Sequence, residues 1–163
     1  MYRTIRFSLA IVLVGLVAAA AALGLQFTSE EIEAEGYLVW DGEPTLFEKA
    51  DGANPNRAEN QDRITESVWL TRSNRGGQIY NAVERNRPSQ TESPVGTLWA
   101  VGTTDELTEL TFSPFREAVG KPRDVVGKEL VLFIPEEGVF VDIVFTSWSR
   151  QKRGGFAYER STP

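Results

Sequence analysis

The sequence predicts an all-β chain, an antiparallel β-sandwich with one short connector helix, and three observations carry that prediction. Val139, Val141, Ile143 and Phe145 alternate with Phe140, Asp142, Val144 and Thr146, so one face of this segment is wholly apolar and the other mixed. That is the period of a core strand. The apolar run 130–134 leads into it through Pro135-Glu136-Glu137-Gly138, which places Pro and Gly where a hairpin connection needs them. Short extended segments then recur along the chain between Gly, Pro and Asn turns, the spacing expected of a jelly-roll or lectin-like sandwich.

Taken in order, strands are predicted at 37–40, 45–49, 64–72, 77–81, 97–102, 108–112, 130–134, 139–146 and 156–160. One helix is predicted after Ser113. That serine can cap, Pro114 suits the first helical position, and Gly120 with Pro122 ends a turn running through Phe115 to Val119. Its expected role is to let Phe115 plug one end of the sandwich while the chain crosses between sheets. The polar, proline-containing stretch 86–94 reads as an exposed loop.

The first residues carry an address. Arg3 and Arg6 precede an uncharged stretch from Phe7 to Leu25, and five alanines at 18–22 offer small residues for cleavage near Ala22. This predicts an N-terminal signal helix at 1–22, a linker at 23–35 and a single β-sandwich domain at 36–163. The alternative is a retained anchor, because the apolar stretch approaches the ~20 residues that span a bilayer. Membrane contact is expected only through that segment, if it stays uncleaved. The expected location is exported: periplasmic, cell-surface or extracellular.

Roughly 140 residues remain after cleavage, enough for one core that buries about two-thirds of the surface the unfolded chain exposes. With 41% apolar and 25% charged residues, the composition is that of a globular chain. The formal charge of −6 counts Arg3 and Arg6, and their removal leaves −8. Nucleic acid is therefore not an expected partner, since phosphate binding needs concentrated Lys and Arg. Histidine and cysteine are both absent, which excludes Ser-His-Asp and Cys-His catalysis, histidine-ligated metals and disulfides.

Several segments resemble a known group. Asn60-Gln61-Asp62-Arg63-Ile64-Thr65, Val68-Trp69-Leu70-Thr71-Arg72, Gly77-Gln78-Ile79-Tyr80-Asn81 and Thr97-Leu98-Trp99-Ala100-Val101-Gly102-Thr103 belong to the pattern. Above all, Phe145-Thr146-Ser147-Trp148 followed by Gly154-Gly155-Phe156-Ala157-Tyr158-Glu159-Arg160 is similar to the closing segment of a family of uncharacterised exported bacterial β-sandwich proteins. The similarity covers most of 44–163 and implies location and β architecture only. This chain has Gln151-Lys152-Arg153 where the family pattern has a smaller, glycine-rich turn.

Four sets of side chains are candidates for function. Trp40 and Trp99 sit among apolar neighbours and are expected in the core, whereas Trp69 and Trp148 share faces with polar residues and are candidates for stacking on sugar rings. With Arg72 and Tyr80 they form the predicted ligand-binding set. Arg72, Arg75, Arg150, Lys152 and Arg153 place basic charge in two turns, suited to an anionic polysaccharide or simply to solvation. Asp51, Asn54, Asn56, Asn60 and Asp62 concentrate oxygen donors in one loop. Within that loop Asp51, Asn54, Asn60 and Asp62 are the candidate ligands of a structural Ca²⁺, and an Asx-rich turn that needs no cofactor is the alternative.

Glu66 and Asp142 are the speculative acidic pair for a catalytic reading, since glycoside hydrolysis needs two carboxylates and no imidazole. The leading expectation is a non-catalytic binding module for glycan or a cell-surface component. A small carboxylate-dependent hydrolase and a structural subunit of a surface assembly are the alternatives.

Overall fold

The computed structural model describes residues 24–92 and 94–163. The predicted signal helix lies outside the described residues. Nine strands and few helices make the described chain mostly β: β1 (Leu38–Trp40), β2 (Gly42–Lys49), β3 (Asp62–Arg63), β4 (Trp69–Arg72), β5 (Ile79–Asn81), β6 (Leu98–Val101), β7 (Glu129–Ile134), β8 (Val139–Trp148) and β9 (Phe156–Thr162). A large sheet runs in the order β2-β9-β8-β7-β6, antiparallel throughout, and a small sheet runs β3-β4-β5. β1 joins the large sheet in parallel against 139–141 of β8, beyond the part of β8 that β9 covers.

The hairpin read from the sequence forms as expected. Ile134 pairs with Val139 across the Pro135–Gly138 turn, and the register holds from there to Glu129 opposite Val144. β7 reads as an unbroken apolar run because both of its faces are buried. Leu130, Leu132 and Ile134 enter one core with Val141, Ile143 and Phe145 of β8, while Val131 and Phe133 enter a second core with Phe140.

What covers each face differs. The first core is closed by the small sheet through Ile64, Val68, Leu70 and Ile79, giving the sheet-on-sheet contact of a sandwich. Trp99 and Phe115 complete it, their rings 4.9 Å apart at 67°. The second core is closed by irregular chain. Phe27 stands edge-on to Phe133, Phe140, Phe112 and Tyr37, with Leu107 and Leu110 beside it.

Several expectations need correcting. The segment 108–112 is not a strand: 104–109 winds into a 3-10 turn that buries Leu107, and Phe112 makes only an isolated bridge to Leu25. The segment 64–72 breaks at 65–67, where Ile64 and Thr65 donate to the Val68 carbonyl and reverse the chain into β4. The connector helix α2 (Phe115–Val119) does form, and Gly120 ends it at φ 77°. Pro114, not Ser113, occupies its cap position, because Ser113 is extended and exchanges both backbone hydrogen bonds with Trp99.

The stretch expected as a linker, 23–35, holds helix α1 (Ser29–Glu35), with its entry tied into the second core. Thr28 and Glu31 form a reciprocal capping box, and Gly36 closes the helix in the left-handed region. Leu25 exchanges 2.7 Å backbone hydrogen bonds with Phe112, and Phe27 is buried two residues later.

Candidate functional site

Charge inside this fold is bound to structure. Asp62, on β3, faces β9 of the large sheet and receives three hydrogen bonds there. Arg160 donates from Nε to Oδ2 at 2.7 Å and from Nη2 to Oδ1 at 3.1 Å, and the Tyr158 hydroxyl donates to Oδ2 at 2.7 Å. This two-pronged pair welds the small sheet to the large one. Burial would lower the pKa of the Arg160 guanidinium, but the hydrogen bond and charge of Asp62 outweigh it and hold the pKa above its usual range. Burial, then the same carboxylate, pushes the Tyr158 phenol well above its ordinary value.

A second interior knot explains the closing segment. Arg72 is 4% exposed and donates to three carbonyls: Gly77 at 2.7 Å, Gly155 at 2.8 Å and Ser149 at 3.1 Å. Its guanidinium also lies 4.0 Å from the centroid of the Trp148 ring. Lys49, buried beside it, donates to the Gly154 carbonyl at 3.2 Å. Desolvation brings Arg72 down to about 10, and burial with the charge of Arg72 lowers Lys49. Asp51 answers these cations. It accepts from the Gly155 amide at 3.1 Å and lies 3.4 Å from Arg153, and the Ser149 hydroxyl leads the contacts that hold its carboxyl below the usual range.

The paired glycines are required by this packing. A Cβ on Gly154 would stand 2.1 Å from the Ser73 carbonyl oxygen, and one on Gly155 would stand 2.4 Å from Asp51 Oδ1. The 73–77 and 149–155 turns are thereby pressed together, which joins the two basic turns read from the sequence. At the tip, Gln151 and Lys152 adopt φ of 57° and 60°, and the Arg153 amide donates back to Arg150, as in a type I′ turn.

The predicted site residues are distributed as follows. Trp148 is half-buried, with one ring face under Arg72. Trp69 is also half-buried, with Arg63 4.1 Å over its ring. Tyr80 is 1% exposed, so it is a core residue, as is Trp99. Burial raises the Tyr80 phenol pKa. Trp40 packs half-buried against the first core. The four candidate metal ligands do not share a centre. Asp51 faces Gly155 and Asp62 faces Arg160, while Asn54 caps the Asn56 amide and its carbonyl accepts from Asn60. Glu66 and Asp142 are likewise apart. Asp142 points to the side of β8 opposite Val141 and Ile143, where it accepts from Thr104 N at 2.9 Å and Oγ1 at 2.6 Å, whereas Glu66 is exposed in the turn before β4.

A cleft of about 600 Å³ has Arg72 and Trp148 in its lining. Three stretches far apart in sequence wall it: 77–78 at the start of β5, 88–90 in the polar loop, and 116–123 from α2 onward. Arg116, Lys121 and Arg123 bring cations to the wall, and among the described residues that wall carries no carboxylate. Arg116 and Lys121 have no ion-pair partner among the described residues, and Arg123 is 3.9 Å from Asp124 at the solvent edge. Such an exposed contact holds little energy.

Gln78, also in the lining, is 5% exposed and donates from Nε2 to the Ser89 carbonyl, while among the described residues its buried Oε1 has no hydrogen-bond partner. A buried amide oxygen left without a donor costs about 1–3 kcal/mol. Sequence reasoning missed Gln78, Arg116, Lys121 and Arg123. The available signal was three cations within eight residues around a Gly-Pro break, a spacing that keeps them on a connector where solvent can reach them. Comparison with family models, with curated proteins and with solved structures finds no match.

Proposed function

We propose that this chain is an exported, non-catalytic binding module of lectin-like sandwich type, whose ligand is a glycan or another cell-surface component carrying negative charge. One observation carries the reading: Arg116, Lys121 and Arg123 line a cleft without a carboxylate in its wall, on a chain whose net charge is −6. Cations on an acidic protein have carboxylate partners in plentiful supply, and every buried one among the described residues is held by protein acceptors: Arg160 by a carboxylate, Arg72 and Lys49 by carbonyls. Leaving three cations together beside a concavity favours an anion from outside. The closing segment's resemblance to exported proteins and the signal-like first 22 residues support the location. The separation of Glu66 from Asp142 favours binding over hydrolysis by that pair.

The test is titration of protein lacking residues 1–22 with acidic and neutral oligosaccharides at low and high salt, with and without a calcium chelator. Binding of acidic sugars that weakens steeply with salt supports the reading. Equal binding of neutral sugars would remove the cleft cations from it, and loss of binding in chelator would restore a structural Ca²⁺.

A second reading, a subunit of a surface assembly, is favoured by Leu38 at 59%, Leu46 at 58% and Val39 at 39% exposure on β1 and β2, the latter being the edge strand of the large sheet. A monomeric mass in solution at high protein concentration would count against it.

A further inference from the structure

We infer that docking of residues 24–28 onto the folded body closes the signal cleavage site, so that chains cut before this segment docks are released and chains that dock first keep their apolar N-terminus as an anchor. This rests on the export reading above and names what decides between the cleaved and anchored forms. The uncharged stretch that begins at Phe7 runs to Leu25, and its last two residues, Gly24 and Leu25, already belong to the fold.

The segment is fastened along its whole length. Gly24 has φ 78° and lies so close to the body that a Cβ there would collide with the Thr111 methyl group. Leu25 exchanges two backbone hydrogen bonds with Phe112, and Ser113 exchanges two with Trp99, which couples the segment to the β6 edge of the large sheet. Gln26 donates from Nε2 to Thr111 Oγ1 at 3.0 Å. Phe27 is 6% exposed, its ring centroid 4.9 Å from that of Phe133 and 5.2 Å from that of Phe140. Thr28 then caps α1 through its exchange with Glu31.

A peptidase takes its substrate as an extended strand with residues on both sides of the scissile bond, and a chain held in a fold is cut only through its open form. Hydrolysis after Ala22 adds water across the Ala22–Leu23 bond, leaving a carboxylate on Ala22 and an amine on Leu23. Two residues, about 7 Å of fully extended chain, separate that bond from the Leu25 pairing. An enzyme cleft has no room between bond and body. The block therefore sets in when the segment docks and is absent before.

The test uses full-length chain made by cell-free synthesis, folded in detergent micelles and treated with a bacterial signal peptidase. Beside it runs a chain with a Gly-Ser spacer of about six residues between Leu23 and Gly24, which leaves residues 24–163 unaltered. Intact mass records the rate and position of the cut. The spacer chain is expected to be cut after Ala22, and the unaltered chain about tenfold more slowly or less. Thr28→Ala, which removes the cap without emptying the core, is expected to raise the rate of the unaltered chain about fivefold.

If both chains are cut after Ala22 at one rate, the gate is overturned while the signal reading stands. If the spacer chain is not cut, the signal reading falls and takes the gate with it. A cut beyond Leu25 in the folded chain, or a Thr28→Ala rate that does not change, would overturn the gate as well, because the block would then not depend on docking.

Discussion

Arg160 and Arg116 carry the same guanidinium into opposite situations. Arg160 is held across the two sheets by both oxygens of Asp62, while Arg116 stands exposed on α2 with no ion-pair partner among the described residues. Lys49 and Lys121 repeat the contrast: one is buried on the Gly154 carbonyl, the other is exposed at the cleft. Burial decides the difference, because a desolvated cation without an acceptor is too costly to keep, whereas an exposed one can wait for a ligand. Basic residues in this sequence therefore sort into fasteners and free charges, and composition does not separate them.

The largest expected effect breaks a fastener. Asp62→Ala leaves Arg160 buried without its carboxylate and the Tyr158 hydroxyl without its acceptor, and is expected to cost about 3–5 kcal/mol in urea denaturation. Pairing Asp62→Leu with Arg160→Met should recover a large part of that loss, since two apolar groups leave no stranded charge. If the single substitution costs under about 1 kcal/mol, the weld between the sheets is not what holds Asp62.

Next in size is Arg72→Met, which removes the donor to three loop carbonyls and the plate over Trp148. A loss of about 2–3 kcal/mol is expected, with a change in tryptophan emission. Were stability unchanged and only ligand binding lost, Arg72 would belong with the free charges and the comparison would fail.

Alkali probes the same interior from the acid side of a phenol. The folded pKa of Tyr158 is raised well above 10.0 by burial first and by Asp62 second, so the native state keeps a proton that the unfolded chain releases. Stability from this group is complete below the unfolded value and declines as pH rises toward the folded one. Tyrosinate absorbance is expected to appear together with loss of structure, not before it. In Tyr158→Phe that alkaline loss of stability should be shallower. Arg72 works in the opposite direction: burial brings its folded value down to about 10, below the ordinary guanidinium range, so the native state sheds a proton before the unfolded chain does and this group's contribution to stability rises as pH climbs above that value.

The free charges should behave otherwise. Arg116→Glu with Lys121→Glu is expected to change stability by about 0.5 kcal/mol or less while abolishing the salt-dependent part of anion binding. The smallest effect is expected at the hairpin tip. Replacing Gln151 and Lys152 with Asn and Gly suits two consecutive left-handed residues and should add a few tenths to about 1 kcal/mol in thermal denaturation.

Legibility followed locality. The 130–148 hairpin was readable because its two strands adjoin in sequence, its turn chemistry is explicit, and its pattern needs no knowledge of a third element. The 108–112 segment reads as a strand because Leu110 and Phe112 alternate with polar residues, but the 3-10 turn runs to Glu109 and Phe112 makes only an isolated bridge, while both side chains enter the second core. The helix at 29–35 carried its own sign, Thr28 followed by Glu31, but the surrounding run of acidic residues reads as a solvated tether. Trp148, a candidate for stacking, lies half-buried at the cleft. Tyr80, on a segment with the same mixed pattern, is fully buried, as is Thr71, its partner on β4.

By itself the sequence determined the β character, the central hairpin with its register, and the absence of imidazole and thiol chemistry, because these depend on residue type and nearest neighbours along the chain. Only the tertiary structure decided which cations are fastened and which are free, and where the cleft lies. Those outcomes depend on what stands across from each side chain. Asp62 meets Arg160 across the gap between sheets, and Arg116 and Lys121 come to line one cleft with Gln78 and Arg72, dozens of residues away in the chain.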